Sequence, residues 1–356
     1  LRTVARSRPN VVAILKGAAP ARCPSLMLNG HMDTVPVYSW KARVDPFSGS
    51  KIGGRIYGRG ASDMKGALAC MALTLKTLKE SGTVLGGDLV FSAVVGEEGS
   101  CSMGAEEIVR NGPRTDYAIV AEPTDLDICV AHKGAYNFTM EVKGRSAHSG
   151  TPKLGVNAIE KSGKLLRELS KIQEIGPKHK LLGRTTIVPT TIKGGYRGDV
   201  IPDSCSLQVT CRNIPGYPAG NVKKKLQQII RRIENKDSEF KCKLTLPTRK
   251  VRWKYGSLVF DPRPVEISKD SVVVRSLVQN IRRYAGRIPK VKGLGMFTDA
   301  SILCNHAGIE TCVCGPSGPQ CGAHSPVEFI DIRDLVRSCR VYAATAIDIC
   351  GVHSRS

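Results

Sequence analysis

The chain of 356 residues contains no run of 18 apolar residues, so no stretch of it reads as a membrane-spanning helix. Aromatic residues are scarce at 5%, which argues against the stacking platforms that single-stranded nucleic acid uses. The 13 cysteines include no CxxC pair. Most read as small buried hydrophobes of a reducing compartment. Cys312, Cys314 and Cys321 lie close to His324 and could form a thiolate site. The better reading places Cys312 and Cys314 in an apolar strand, TCVC. The opening segment LRTVARSRPN has no apolar core of the kind a secretory signal needs. A cytoplasmic protein is therefore expected. Internal repeats and low-complexity segments are also lacking.

Acidic residues are few: 31 Asp and Glu stand against 53 Lys and Arg, for a net charge of +22. Phosphate binding is one use for such a charge. However, the basic residues are spread over the whole chain. The short clusters Lys223–Lys225 and Arg231–Arg232 fall on one expected helix, where a solvated face is the default. Nucleic acid is disfavoured, and an anionic substrate or an acidic protein partner fits the charge as well. Hydrophobic content of 41% is ordinary for a globular chain, and the length allows a sizeable core and two domains.

Strands and helices alternate in the first third. Leu26–Asn29, Leu89–Val95 and Tyr117–Ala121 are apolar runs typical of buried parallel strands. Residues 64–80 repeat Met64, Ala67, Leu68, Met71, Leu75 and Leu78 at helical spacing, with Asp63 at the expected N-cap and Gly82 at the stop. From residue 134 the order changes to strand 135–143, helix 155–173, strands 184–193 and 203–212, helix 219–235 and strand 240–247. That β-α-β-β-α-β order is a ferredoxin-like unit inserted into the first domain. The chain then returns, with a helix near 270–285, a strand at Thr311–Cys314 and a last helix at 331–350. The expected fold class is α/β: a mostly parallel sheet flanked by helices, with an inserted α+β domain. Residues 1–133 and 251–356 would form the catalytic domain and 134–250 the insert.

Five ionisable groups follow apolar runs: His31, Asp63, Glu98, Glu122 and His324. Open parallel sheets place their sites beyond the carboxyl ends of the strands. In the segment His31-Met32-Asp33 the spacing lets the Asp33 carboxylate accept a hydrogen bond from the imidazole. Taken alone this is a weak sign, since a loop histidine beside a capping aspartate looks the same. Asp63 is explained equally well as a helix cap. The adjacent pair Glu97-Glu98 is more telling, because two carboxylates after a buried strand repel unless a cation or a shared proton lies between them. One could hold a metal while the other acts as a base. Two histidines and three carboxylates suit a dinuclear site with one bridging carboxylate. Mixed nitrogen and oxygen donors favour zinc, with cobalt or manganese as alternatives.

The segments GHMDTVP (30–36), GRGASDMKG (58–66), GEEGS (96–100), AEPT (121–124) and GAHSPVE (322–328) resemble those of the M20 metallopeptidase family, in order along nearly the whole chain. The resemblance implies a zinc-peptidase-like catalytic domain. His31, Asp63 and Glu122 would hold one zinc, and Asp63, Glu98 and His324 the other. Asp33 would orient His31, and Glu97 would be the general base. His148, in GRSAHSG (144–150), would polarise the reacting carbonyl and in dimeric relatives reaches the neighbouring subunit's site. Arg212 would bind a substrate carboxylate. Asp199 stands where the family has an asparagine and Thr210 where it has an aspartate, so the substrate contacts carried over to this region differ. Thr298, in Phe297-Thr298-Asp299, would line the pocket, unless that segment is simply a helix cap. The family commonly has more residues before the first motif, which makes a shortened N-terminus the expectation here.

The function implied is hydrolysis of the amide bond of an N-acyl amino acid. Deacetylation or desuccinylation in amino-acid biosynthesis leads, ahead of dipeptidase or carboxypeptidase activity. The expected assembly is a homodimer through 134–250, and a small acidic carrier protein is a candidate partner. The alternative from another class is a basic binding protein that kept the fold and lost catalysis, and the intact ligand set argues against it.

Overall fold

The computed structural model describes residues 2–5, 8–38, 40–99, 101–247, 250–253 and 256–353. Its larger sheet has nine strands. At the centre, Leu26–His31 lies between Leu89–Val94 and Tyr117–Pro123, with Glu310–Gly315 beyond, and all four run parallel. Antiparallel strands close both sides: Arg8–Leu15 on Leu89–Val94, and Ile128–His132 on Glu310–Gly315. Every residue of Leu26–His31 and of Leu89–Val94 is buried. A continuous apolar run is what a sheet covered on both faces requires.

Alternation along the strands sorts the core into two layers. Leu28, Phe91, Ile119 and Cys312 pack under helices Gly66–Glu80, Val272–Ala285 and Ile332–Cys350. Met27, Val90, Val120 and Val313 pack under helices Met103–Asn111 and Ala300–Ala307. These last two helices escape a reading by periodicity, since each gives barely two turns of pattern. All 13 cysteines are free and most are buried, as their reading as hydrophobes requires. Among the described residues no helix is long and apolar enough to cross a membrane.

The second sheet is antiparallel, in the order Glu174–His179, Gly183–Gly194, Ser204–Arg212, Tyr136–Lys143, Lys241–Thr245. Helices Ala158–Ser170 and Ala219–Glu234 cover one face, burying Phe138, Met140, Leu207 and Leu226. Without Glu174–His179, an edge strand that the sequence does not announce, this is the expected β-α-β-β-α-β unit. The first of its helices, Ala158–Ser170, is shorter at both ends than expected, and it starts late because Asn157 caps it, accepting from the amides of Ile159 and Glu160.

Candidate metal centre

The parallel strands end in register, His31 beside Val94. This brings three strand ends together. His31 closes its strand, Glu122 sits at the end of Tyr117–Pro123, and Glu97 and Glu98 occupy the turn after Leu89–Val94. Asp63 arrives from the loop before the first long helix, and His324 from the loop before the last.

Asp63 faces both histidines. Its Oδ1 lies 3.1 Å from His31 Nε2, and its Oδ2 lies 3.2 Å from His324 Nε2. Glu122 Oε1 is 3.7 Å from His31 Nε2, and Glu98 Oε1 is 2.8 Å from His324 Nε2. The donors therefore form two groups, His31–Asp63–Glu122 and Asp63–Glu98–His324, each compact enough to hold a metal ion. Asp63 Oδ1 is buried without a well-formed hydrogen bond, a lone pair free for such an ion.

Asp63 is not the helix cap that its position suggests. The helix begins at Gly66 with Lys65 as N-cap, and Asp63 lies in the preceding turn, Ala61–Lys65. Gly60 enters that turn at φ 86°, a left-handed conformation suited to glycine. Glu328 fixes the turn. Its buried carboxylate accepts from the amides of Gly60, Ser62 and Asp63 at 3.0, 3.0 and 2.9 Å, and from Arg59 Nη1 at 2.6 Å. Arg59 also donates to the Ser325 carbonyl, so one pair of side chains joins the Asp63 loop to the His324 loop. Glu328 stands inside a motif that the sequence displayed, yet no role was assigned to it. The available sign was a lone acid followed by the apolar run Phe329–Ile330.

Asp33 also acts otherwise than expected. His31 Nδ1 meets the backbone carbonyl of Asp33 at 2.8 Å, not its carboxylate. The carboxylate turns across to the neighbouring strand end and accepts the amides of Gly96, Glu97 and Glu98. Three amides converge there, a better offer than one imidazole nitrogen. The tautomer of His31 is thus set by main chain, and Asp33 sets the turn that carries Glu97 and Glu98.

The electrostatics report crowding. Burial alone would lower the His31 imidazole, but the charges of Glu122 and Asp63 outweigh it and hold it well above the usual histidine range. Hydrogen bonds to Asp63 and Glu98 lift His324 to about 10. Burial and the Asp63 charge push Glu122 up to about 7. Burial, then the charges of Glu122 and Asp299, raise Glu97 well above the carboxylate range. Asp63 goes the other way: the two imidazoles overcome the effect of burial and lower it. So many raised groups around one lowered carboxylate mark a cluster that lacks positive charge, which divalent cations would supply.

A cleft of about 1080 Å³ opens over these groups. Glu97, Glu98, Glu122, Asp63 and His324 line its floor. Arg212 and Thr298 line it too, and the Thr298 hydroxyl accepts the Ala300 amide at the start of Ala300–Ala307. Two expected substrate contacts lie elsewhere. His148 is exposed on the turn after Tyr136–Lys143, where its Nδ1 accepts the Gly150 amide. Asp199 is exposed and pairs with Arg197 at 2.6 Å. Neither lines the cleft: they sit on two different connections of the inserted sheet, which meet each other through the bridge between His148 and Val200. Asp299, fully buried, with the pKa of its carboxyl pushed up to about 6 by burial, is a further acid that the sequence did not single out for this role.

Two outcomes follow from this geometry. Glu328→Ala leaves Arg59 buried without its partner and should cost about 3–5 kcal/mol. Metal retained per chain after dialysis should fall with it, and full retention would show that the brace is dispensable. Loading metal into the metal-free protein should release protons, because His31, His324 and the raised carboxylates must all give theirs up. Apparent affinity should weaken as pH falls below about 10, where His324 takes up its proton, and weaken further below about 7, where Glu122 does. Calorimetry in two buffers of different ionisation enthalpy reads the proton count, and identical heats would contradict it.

Comparison with known proteins agrees with this arrangement. The model of peptidase family M20/M25/M40 matches residues 27–348. The chain is 30% identical to N-formyl-4-amino-5-aminomethyl-2-methylpyrimidine deformylase of Bacillus subtilis, over 96% of this chain and 83% of that one. It is 31% identical to acetylornithine deacetylase of Myxococcus xanthus, over 96% and 84%. Among solved structures, an M20 family metallo-carboxypeptidase from Sulfolobus solfataricus superposes with a TM-score of 0.74 at 20% identity, covering 96% of this chain and 87% of that one, a likeness of fold. With two donor groups at the strand ends and this match along its length, the chain belongs to peptidase family M20/M25/M40, hydrolases of amide or peptide bonds.

Proposed function

We propose that the chain is a two-metal amidohydrolase that removes the acyl group from an N-acyl amino acid. The observation that carries this is Asp63, one oxygen toward each histidine, on the floor of a cleft that also exposes the Glu97 carboxylate. His31, Asp63 and Glu122 would hold one ion and Asp63, Glu98 and His324 the other. Their mixed imidazole and carboxylate donors favour zinc. Ions held there supply Lewis acidity and acidify water.

The chain's own groups do the rest. Glu97 lines the cleft beside both donor groups, and burial strengthens its basicity; it takes a proton from water and returns it to the departing amine. Asp33 keeps the Glu97–Glu98 turn in place through its three amide bonds. Arg212 is the only Lys or Arg lining the cleft among the described residues, and it fits the carboxylate of the amino acid. The named relatives support a deacylase first, of the acetylornithine or succinyl-diaminopimelate type, and a peptidase second.

We also propose that 134–250 is the dimerisation domain, set between halves 1–133 and 251–356 of the catalytic domain. The strand Gly183–Gly194 pairs on its outer side only up to Thr186, and the remainder is an edge flanked by exposed Ile159 and Ile192. Such an edge invites a second copy. The turn bearing His148 would then reach the partner's cleft, which accounts for its absence from its own.

Glu97→Ala should lower kcat by about 100- to 10,000-fold, on a panel of N-acyl amino acids and dipeptides, with metal content nearly unchanged. Undiminished turnover would remove Glu97 from its role. Mixing inactive Glu97→Ala with inactive His148→Ala should restore roughly a quarter of the activity by random pairing, since one cleft of each mixed dimer is whole. If the mixture stays inactive, the shared site is wrong.

A further inference from the structure

The first long helix, Gly66–Glu80, and the last, Ile332–Cys350, pack against each other in the apolar layer under the main sheet. Each starts just beyond a loop of the metal centre. Gly66 follows the turn that carries Asp63, and Ile332 follows Glu328 by one short strand, Phe329–Asp331. The first helix turns small residues toward the last: Gly66, Cys70 and Thr74, one turn apart. A Cβ on Gly66 would stand 3.2 Å from Leu335 Cδ2, so the two helices meet closely. Cys70 Sγ donates to the Leu335 carbonyl at 3.3 Å and Thr74 Oγ1 to the Cys339 carbonyl at 3.5 Å. In return Cys339 Sγ donates to the Cys70 carbonyl at 3.8 Å. Each thiol touches the main chain of the opposite helix, and the two thiols also reach each other.

The surroundings of the two thiols differ. Cys70 is 2% exposed, and contact with the Cys339 thiol, then burial, raises it above the usual thiol range. Cys339 is only half-buried, and the hydrogen bond from Cys70 outweighs burial and lowers it. The thiolate is the nucleophile of thiol–disulfide exchange. Cys339 is thus the sulfur that a dissolved reagent meets first, with Cys70 directly behind it. Cys129 and Cys211, by contrast, are pushed up to about 12 by burial and serve as apolar filling.

We propose that Cys70 and Cys339 form a redox site, which a small dissolved disulfide converts into an intramolecular disulfide between the two helices. The Cys339 thiolate attacks one sulfur of the reagent. The reagent's S–S bond breaks, one reagent thiol leaves, and Cys339 carries a mixed disulfide. Cys70 then gives up its proton and attacks the Cys339 sulfur, and the second reagent thiol leaves. The two protein thiols are oxidised by two electrons, and the reagent is reduced to two thiols that take up the protein's two protons. Such a bond needs Cα atoms within about 7 Å, an approach that the close helix contact favours. It ties the helix that follows Asp63 to the helix that follows Glu328, and so repeats covalently what Arg59 and Glu328 do through hydrogen bonds. The two cysteines stand 269 positions apart, and a cross-link over so long a span restricts the unfolded chain strongly. Reducing surroundings return the pair to thiols, so stability follows the redox poise. The pair acts in this way whatever bond the cleft hydrolyses.

The test treats the zinc-loaded full chain with glutathione disulfide, then denatures, alkylates and digests it for mass spectrometry. A pair of peptides joined through Cys70 and Cys339 should appear, and should separate on reduction. The midpoint of thermal unfolding should rise by several degrees in the oxidised protein and fall back with reductant. Two single variants divide the steps. Cys70→Ala should stop at the mixed disulfide and keep glutathione on Cys339. Cys339→Ala should leave Cys70 unmodified, because burial shields it. Neither variant should show the thermal shift. Absence of the joined pair from the unaltered chain overturns the site, as does Cys339 joined to a different cysteine. Glutathione found on Cys70 in the folded Cys339→Ala variant, or a thermal shift that survives either variant, overturns it too.

Discussion

Asp63, Glu97, Glu98 and Glu122 are crowded around two imidazoles on the floor of one cleft. Carboxylates in that position repel, and the protein resists the repulsion from two sides. Glu328, with Arg59, clamps the Asp63 loop through three amides. Asp33 clamps the Glu97–Glu98 turn through three more. Both clamps are themselves carboxylates accepting main-chain donors, so the site is held by groups whose bonds form and break with folding, not with metal. What the clamps cannot supply is positive charge inside the cluster. The raised imidazoles and carboxylates reflect that need.

The sheet makes the crowding possible. Parallel strands end on one side of a sheet, and here three adjacent ends finish level. Each contributes a residue to the same small region without any loop having to cross the molecule. The two layers of helices keep both faces dry, so the strands are rigid supports and the ionisable groups at their ends cannot drift apart. His324 and Asp63 come from loops and depend on the Glu328 brace to meet the strand-borne residues.

The ferredoxin-like unit uses its two faces differently. Under the helices it is an ordinary apolar core with its lysines paired. Facing the cleft it is polar, with Arg212 innermost and unpaired lysines outermost. A net charge that looked dispersed along the chain becomes ordered once the register brings residues distant in sequence, such as Lys143, Lys193 and Lys241, into adjoining rows.

How much of this was legible follows from what each feature depends on. The parallel strands were readable because buried strands are continuous apolar runs, and the long helices because their apolar positions recur at helical spacing. The helices Met103–Asn111 and Ala300–Ala307 and the edge strand Glu174–His179 were too short to leave such a pattern. The residues at the strand ends could be named from sequence, since their chemistry is local: an acid or histidine directly after an apolar run. Their grouping into two donor sets followed only from the motif resemblance, and the hydrogen-bond partners that hold them in place could not be named. Asp33 was expected on His31 and instead holds the Glu97–Glu98 turn; Asp63, readable as a helix cap or, by resemblance, as the residue common to both donor groups, takes the second place; Glu328 went unassigned; His148 and Asp199 lie outside the cleft. A hydrogen bond goes to whichever donor the fold brings nearest, and sequence order does not carry that distance. By itself the sequence determined the period of each long element and the identity of the groups at the strand ends. Only the tertiary structure decided which oxygen meets which nitrogen, because that depends on how strands far apart in the chain are placed side by side.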